Sequence, residues 1–305
     1  MVGASGEQFE ISAAGYRAVV TEGGGTLRLL EHAGRPLIDG FAADEVPYGG
    51  RGQLLMPWPN RIRDGAYSFG DRDHQLSISE PARKNASHGL VRWVAWTVEE
   101  HTENSVSLMY RLMAQSGYPW TLDLHVLYDL SADGLTVTQT ATNLAPAAAP
   151  YASGAHPYLT VGSGPVDSWE MVLPARTRLL SDDRLLPTGV EAVAGTPYDF
   201  TRPRRIGRTV FDHGFTDLAR HHDRATVALH DPATGRGVAL WVDARHRWLQ
   251  LYTGDDQPAW ARRSIAVEPM TAPADAFRSG TGLLTLAPAG RPGDEVSASW
   301  GIRAL

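Results

Sequence analysis

Cysteine is absent from this chain of 305 residues, and Lys84 is its only lysine. Without cysteine there can be no disulfide, no thiol nucleophile and no thiolate metal ligand. Schiff-base chemistry would have only Lys84 to use. Excess positive charge is missing too, since 28 Lys and Arg stand against 34 Asp and Glu, a formal charge of -6. That balance disfavours a nucleic-acid partner and offers nothing to an anionic membrane. No apolar run approaches the roughly 20 residues of a membrane helix. Met1 to Glu10 has neither the basic nor the apolar region of a signal peptide. A cytoplasmic protein with no membrane partner is expected. The Asn85-Ala86-Ser87 sequon then carries no meaning. Convincing long amphipathic helices are also lacking.

What is present is alternation with period two. Leu122, Leu124, Val126, Tyr128 and Leu130 alternate with Asp123, His125, Leu127 and Asp129. Leu135, Val137, Gln139 and Ala141 alternate with threonines, and Val296, Ala298, Trp300 and Ile302 repeat the pattern near the C-terminus. Each fits a strand with one face on a core. Shorter runs occur at Glu10–Val20, Trp93–Glu99, Val106–Leu112, Ala225–His230, Gly237–Val242 and Trp248–Tyr252. Turn signals separate them, among them Asp133-Gly134, Thr234-Gly235 and Gly254-Asp255. Gly23-Gly24-Gly25 precedes a strand, so it is a turn and not a phosphate cradle. The pattern predicts an all-β chain, a large antiparallel β-sandwich. No repeat or composition shift divides it, so residues 1–305 are expected to form a single domain.

Six segments could carry chemistry. In Pro57-Trp58-Pro59-Asn60-Arg61 the prolines stiffen a loop that presents Asn60 and Arg61. Arg61 either donates to ligand oxygens or ties loop to sheet. Ser87-His88-Gly89 follows, with Gly89 permitting a tight turn beside His88. Trp93 and Trp96 could stack on a sugar, but core burial is the expectation for alternate-strand tryptophans. Ser153-Gly154-Ala155-His156-Pro157-Tyr158 sets a histidine among small neighbours that would let a ligand approach. Asp212 and Asp217 are two carboxylates near Gly214, one able to hold adjacent hydroxyls and the other able to cap a turn. Gln250 sits between apolar neighbours on a strand and must find a partner if buried. Glu268 ends the apolar Ile265–Val267 run before Pro269. A carboxylate there is costly unless it is paired or used as a base of raised pKa. His221-His222-Asp223 reads as a solvated loop, because neighbours on an extended segment point apart.

In this order, Asn60-Arg61-Ile62, His88-Gly89, His156-Pro157-Tyr158, Asp212-His213-Gly214-Phe215, Gln250-Leu251-Tyr252-Thr253-Gly254 and Glu268-Pro269 resemble the motifs of the aldose 1-epimerases, the galactose mutarotase family. The resemblance runs from about Gly15 to the C-terminus. It implies the galactose mutarotase-like β-supersandwich, with His156 as general acid and Glu268 as general base. It implies that Asn60, Arg61, His88, Tyr158, Asp212 and Gln250 line a sugar site. It implies a small sugar as partner, no metal or organic cofactor, and a monomer or homodimer. Leu159-Thr160-Val161 departs from the Phe-Asn-Leu that many members carry there. Gly89-Leu90-Val91-Arg92-Trp93 and the segment after Glu268 resemble a bacterial branch that includes sulfoquinovose mutarotases. Arg92, Arg176 or Arg178 are candidates to meet a sulfonate. A non-catalytic carbohydrate-binding protein on the same fold is the alternative. A metal-dependent isomerase using His88, His156 and Glu268, and a glycoside hydrolase using Glu268 and Asp212, are further rivals.

Overall fold

The computed structural model describes residues 3–305. Its largest sheet has nine antiparallel strands. Their order is Thr97–His101, Ser105–Leu112, Leu122–Ser131, Gly134–Asn143, Glu295–Ala304, Arg236–Val242, Ala225–Asp231, Glu170–Val172 and Arg204–Arg205. The three predicted alternating strands are its centre, and Leu124, Val126, Tyr128, Leu135, Val137, Trp300 and Ile302 are nearly inaccessible on the inner face. A second antiparallel sheet runs Pro187–Ala192, Ala175–Ser181, Asp212–Leu218, Trp248–Tyr252, Ile265–Met270, Gly154–Ala155 and Leu54–Leu55, with Tyr158–Leu159 pairing off Ile265–Met270. Its inner face contributes Phe211, Phe215, Leu249, Leu251, Ile265 and Val267 to the same core. Such burial stabilises by about 1.5–3 kcal/mol for each large apolar side chain.

A four-stranded antiparallel sheet, Gln8–Ala13, Tyr16–Thr21, Leu27–His32 and Arg35–Pro36, packs against Ser105–Leu112 and Leu122–Ser131 of the nine-stranded sheet. Here the predicted run Glu10–Val20 is a hairpin rather than one strand, because Ala14 and Gly15 turn the chain with φ of 48° and 82°. The only α-helix among the described residues is Ala276–Ser279. None of the helices is long and apolar enough to cross a membrane.

Buried Gln139 joins the two main sheets. Its Nε2 donates to the Gly154 carbonyl at 3.1 Å, and its Oε1 accepts from Trp300 Nε1 at 3.2 Å. An amide on an inner face needs such partners. It pins the short strand that leads into His156 to the nine-stranded sheet.

Candidate active site

The outer face of the second sheet carries the polar side chains. Asp212 pairs with Tyr252 and Gly214 with Gln250, while Gln250 pairs with Glu268. Tyr158 pairs with Ala266. Cross-strand partners share a face, as do residues two apart. Asp212, Gln250 and Glu268 therefore project together while Leu249, Leu251 and Val267 fill the core. Gly214 lets Leu179 pack over the sheet beside them, since a Cβ there would meet Leu179 Cδ1 at 2.7 Å.

A second group arrives from the chain before the sheet. Arg61–Arg63 pairs with Asn85–Ser87 in a short ladder, which sets Asn60 beside His88. Their backbones interlock: His88 N donates to the Asn60 carbonyl at 2.8 Å, and Asn60 N donates to His88 Nδ1 at 3.2 Å. Both residues are left-handed, with φ of 56° and 60°, a conformation such residues hold only under tertiary constraint. An Nδ1 that accepts leaves the proton on Nε2, so His88 is a neutral donor there. Gly89 makes the turn possible, because a Cβ would lie 2.0 Å from the Met56 carbonyl oxygen and φ is +72°. Gly89→Ala should therefore destabilise the protein by at least about 2 kcal/mol in a denaturant titration.

The two groups meet in a cleft of about 310 Å³, at the lower end of small-ligand sites. Of the eight predicted site residues, Asn60, Arg61, His88, His156, Asp212, Gln250 and Glu268 line it. Tyr158 does not. It is 1% exposed and stacks behind His156, ring centroids 5.0 Å apart and planes 14° apart. The small residues before His156 also have another purpose than ligand access. Ser153, Gly154 and Ala155 are buried, and a Cβ on Gly154 would meet the Pro269 carbonyl at 2.8 Å and Pro59 Cβ at 2.9 Å. They let two elements of the cleft wall pack backbone to backbone.

His156 and Glu268 face each other at the cleft floor, Nε2 to Oε1 3.3 Å. His156 Nδ1 and Glu268 Oε2 are buried without a partner. Burial pushes the His156 ring down to about 3, helped by the charges of Arg92, Arg51 and Arg61. Burial pushes Glu268 well above the usual carboxyl range; Asp212 adds to this and Arg61 opposes it. Burial thus favours the neutral form of each partner, because neither charge is solvated. The expected role of His156 as a proton donor therefore has to work against this burial. Burial also raises Asp212, with Asp256 adding to it and Arg61 and the Gln250 bond opposing. Gln250 Nε2 donates to Asp212 Oδ1 at 2.9 Å, the partner a buried amide needs. His88 is held well below its ordinary value by burial and by Arg92, His156 and Arg61.

Several residues escaped the sequence reading. Glu80 grips Arg61 with both oxygens, accepting from Nε at 2.9 Å and from NH2 at 3.1 Å. Asn85, of the apparent sequon, is fully buried and donates to Glu80 at 3.0 Å. The Arg61–Glu80 pairing outweighs the burial that would otherwise lower the guanidinium's pKa. Arg61 thus both faces the cleft and ties a loop. Tyr48, Arg83, Asp256, Gln257 and Trp260 are also among the lining residues. Only the general enrichment of aromatics and carboxylates at sugar sites could have pointed to Trp260 and Asp256.

Other expectations fall away from the cleft. Trp96 is core, but Trp93 is 61% exposed, since the residues before Thr97 form a turn rather than a strand. Asp217 is exposed and accepts from Thr177 Oγ1. His221 and His222 lie in an exposed loop as expected, yet their rings are 4.0 Å apart because His222 turns left-handed. Arg178 is bound to Glu191 at 2.6 Å and Arg176 is exposed. Neither they nor Arg92 line the cleft, whose cations are Arg61 and Arg83. Among the described residues no three His, Asp or Glu are grouped to hold a metal ion.

Comparison with known proteins bears on the family and the fold. A family model described as aldose 1-epimerase matches residues 7–298. The Escherichia coli protein YihR, itself uncharacterized, is 35% identical over 92% of this chain and 89% of its own length. YphB of the same organism is 23% identical over 90% and 95%. The structure of a GalM/aldose epimerase homologue from C. elegans superposes with a TM-score of 0.87 over 98% of both chains at 19% identity. That of a galactose 1-epimerase from Lactobacillus acidophilus gives 0.80 over 95% and 92% at 21% identity. The structural likenesses show a shared fold.

Proposed function

The chain belongs to the aldose 1-epimerase family, and we propose that it interconverts the α and β anomers of a free aldose by acid–base ring opening. The single observation that carries this reading is the buried His156–Glu268 pair, 3.3 Å apart at the floor of a sugar-sized cleft. Ring opening needs one group to take the proton of the C1 hydroxyl and another to give a proton to the ring oxygen. As the C1–ring oxygen bond breaks, C1 becomes an aldehyde carbon. Rotation about C1–C2 presents its other face, and closure returns both protons.

With Glu268 as acceptor and His156 as donor, the charged pair becomes neutral when the ring opens. The low-dielectric floor favours that neutral form, so burial draws the reaction toward the open aldehyde. When a sugar binds, one proton passes from Glu268 to His156, with the bound hydroxyls and Arg61 stabilising the carboxylate so formed, and closure restores that charged pair. Arg61 and His88 donate near the ring oxygen, where negative charge develops. Asp212 and Gln250 hold hydroxyls away from C1.

Anomer exchange of freshly dissolved α-glucose, α-galactose and α-sulfoquinovose, followed by polarimetry or NMR, tests the reading. Acceleration by the protein supports it, and the fastest sugar names the substrate. Binding without acceleration would make the protein a sugar binder on an enzyme's fold. Asp212→Asn is expected to raise KM roughly tenfold or more, the worth of a hydrogen bond to a charged group, with a smaller change in kcat. A collapse of kcat at constant KM would move Asp212 into the chemistry.

A further inference from the structure

We propose that Arg51 is a positioning residue for His156, acting through Tyr158 and held by Asp39. The proposal rests on the reading of His156 as a proton-transfer group. Arg51 stands in Gly49-Gly50-Arg51-Gly52 and is 1% exposed. A guanidinium so buried must be fully engaged.

Its engagement is aromatic on one side and ionic on the other. The Cζ lies 4.0 Å from the Tyr48 ring centroid, 4.2 Å from that of Tyr158 and 4.4 Å from that of Trp260. Cation–π attraction is strongest when the cation is desolvated in this way. NH2 donates to Asp39 Oδ2 at 2.9 Å, and NH1 donates to the Tyr48 carbonyl at 3.2 Å. Asp39 is fixed in turn. It accepts from Arg263 and Ser264, and its backbone N donates to the Tyr158 carbonyl at 2.8 Å. Burial alone would raise its carboxyl, but the bonds from Arg263, Arg51 and Ser264 hold it below the usual range.

Tyr158 is the link. One neighbour of its ring is Arg51, and another is the nearly parallel ring of His156. Its hydroxyl donates to the Gly49 carbonyl at 2.8 Å, so it cannot slide. Near the His156 ring stands Gly50, where a Cβ would come within 3.0 Å of Cδ2. The imidazole is therefore held between a glycine turn and a tyrosine that Arg51 clamps. Tyr48 and Trp260 also line the cleft, so one buried cation organises both the back of His156 and part of the sugar-facing wall.

Two consequences are separable. The clamp orients the imidazole toward Glu268. Its charge also disfavours a further proton on the pair, together with Arg61 and Arg92, while Glu268 at 3.3 Å and the neutral His88 ring at 5.6 Å face the imidazole from other elements. Removing a cation favours proton binding, so both limbs of the pH profile should move to higher pH whichever partner holds the proton.

The test compares Arg51→Met, Arg51→Lys and His156→Gln in anomer exchange across pH, with an NMR titration of the His156 ring. For Arg51→Met we expect kcat to fall about ten- to a hundredfold, the scale of a misplaced catalytic group, with KM within about threefold and both limbs shifted upward. Arg51→Lys retains the charge but not the flat stacking surface, so its limbs should stay while kcat still falls. If His156→Gln is inactive but Arg51→Met keeps wild-type kcat and limbs, the clamp is overturned alone. A loss confined to thermal stability or KM overturns it too. If His156→Gln exchanges anomers normally, the proton-transfer reading falls and the clamp with it. Should Arg51→Met fail to fold, Asp39→Asn frees the guanidinium without opening a cavity: kcat should again fall about tenfold or more while the limbs stay or move slightly down, because the cation remains and an anion is lost, and an unchanged kcat overturns the clamp.

Discussion

Glu268→Gln should slow anomer exchange at least about a hundredfold, the lower bound for loss of a positioned proton acceptor. A hundredfold corresponds to about 2.7 kcal/mol of barrier. The amide keeps the shape of the acid and can still meet His156, so the sugar should still bind. What disappears is the ability to take the C1 hydroxyl proton. Glu268 is 2% exposed, with one oxygen unpartnered, and a buried carboxyl in that state costs stability. The amide should therefore leave thermal unfolding unchanged or slightly raised, which separates lost chemistry from lost fold. A fall of less than about tenfold, against the hundredfold expected of an acceptor, would remove Glu268 from the role.

His156→Gln should be comparably damaging, again about 10²–10⁴-fold in kcat. The double variant should be little worse than either single one, because a relay that has lost one end gains nothing from the other. The pH dependence gives a sharper criterion. Burial sets the His156 ring at about 3 and Glu268 well above its ordinary 4.5. Between those limits the free pair holds one transferable proton. Below them it holds two, and above them none, and neither state can both give and take. The kcat/KM profile should therefore lack an acid limb near 6.5, where an ordinary histidine would place one. A limb there would mean that water reaches the imidazole.

Individual residues show why some of this was legible in the sequence and some was not. The alternation of Leu122 to Leu130 and of Leu135 to Ala141 reports which face of each strand is apolar, and that needs no partner to be read. His156, Asp212 and Glu268 stood out because a titratable group in an apolar or glycine-bounded strand is anomalous by itself. Glu80 did not, since an acid in a loop before Pro81 looks like any solvated carboxylate until Arg61 is found against it. Asn85 looked like a glycosylation signal, and only its burial shows that it holds Glu80. Tyr158 belonged to the right motif, but its side chain turned out to lie behind the histidine.

By itself, then, the sequence determined the strand faces, the turns and the residue types of the candidate site, because side-chain periodicity and local anomalies are properties of the chain alone. Tertiary structure decided the rest. Register brought Glu268 opposite Gln250 and Asp212 within reach of it. Packing desolvated His156 and Glu268 together. A cation some hundred residues away in the chain, Arg51, came to rest on the ring behind the histidine. Distance, burial and charge are relations between segments, and they exist only after the two sheets have closed on their core.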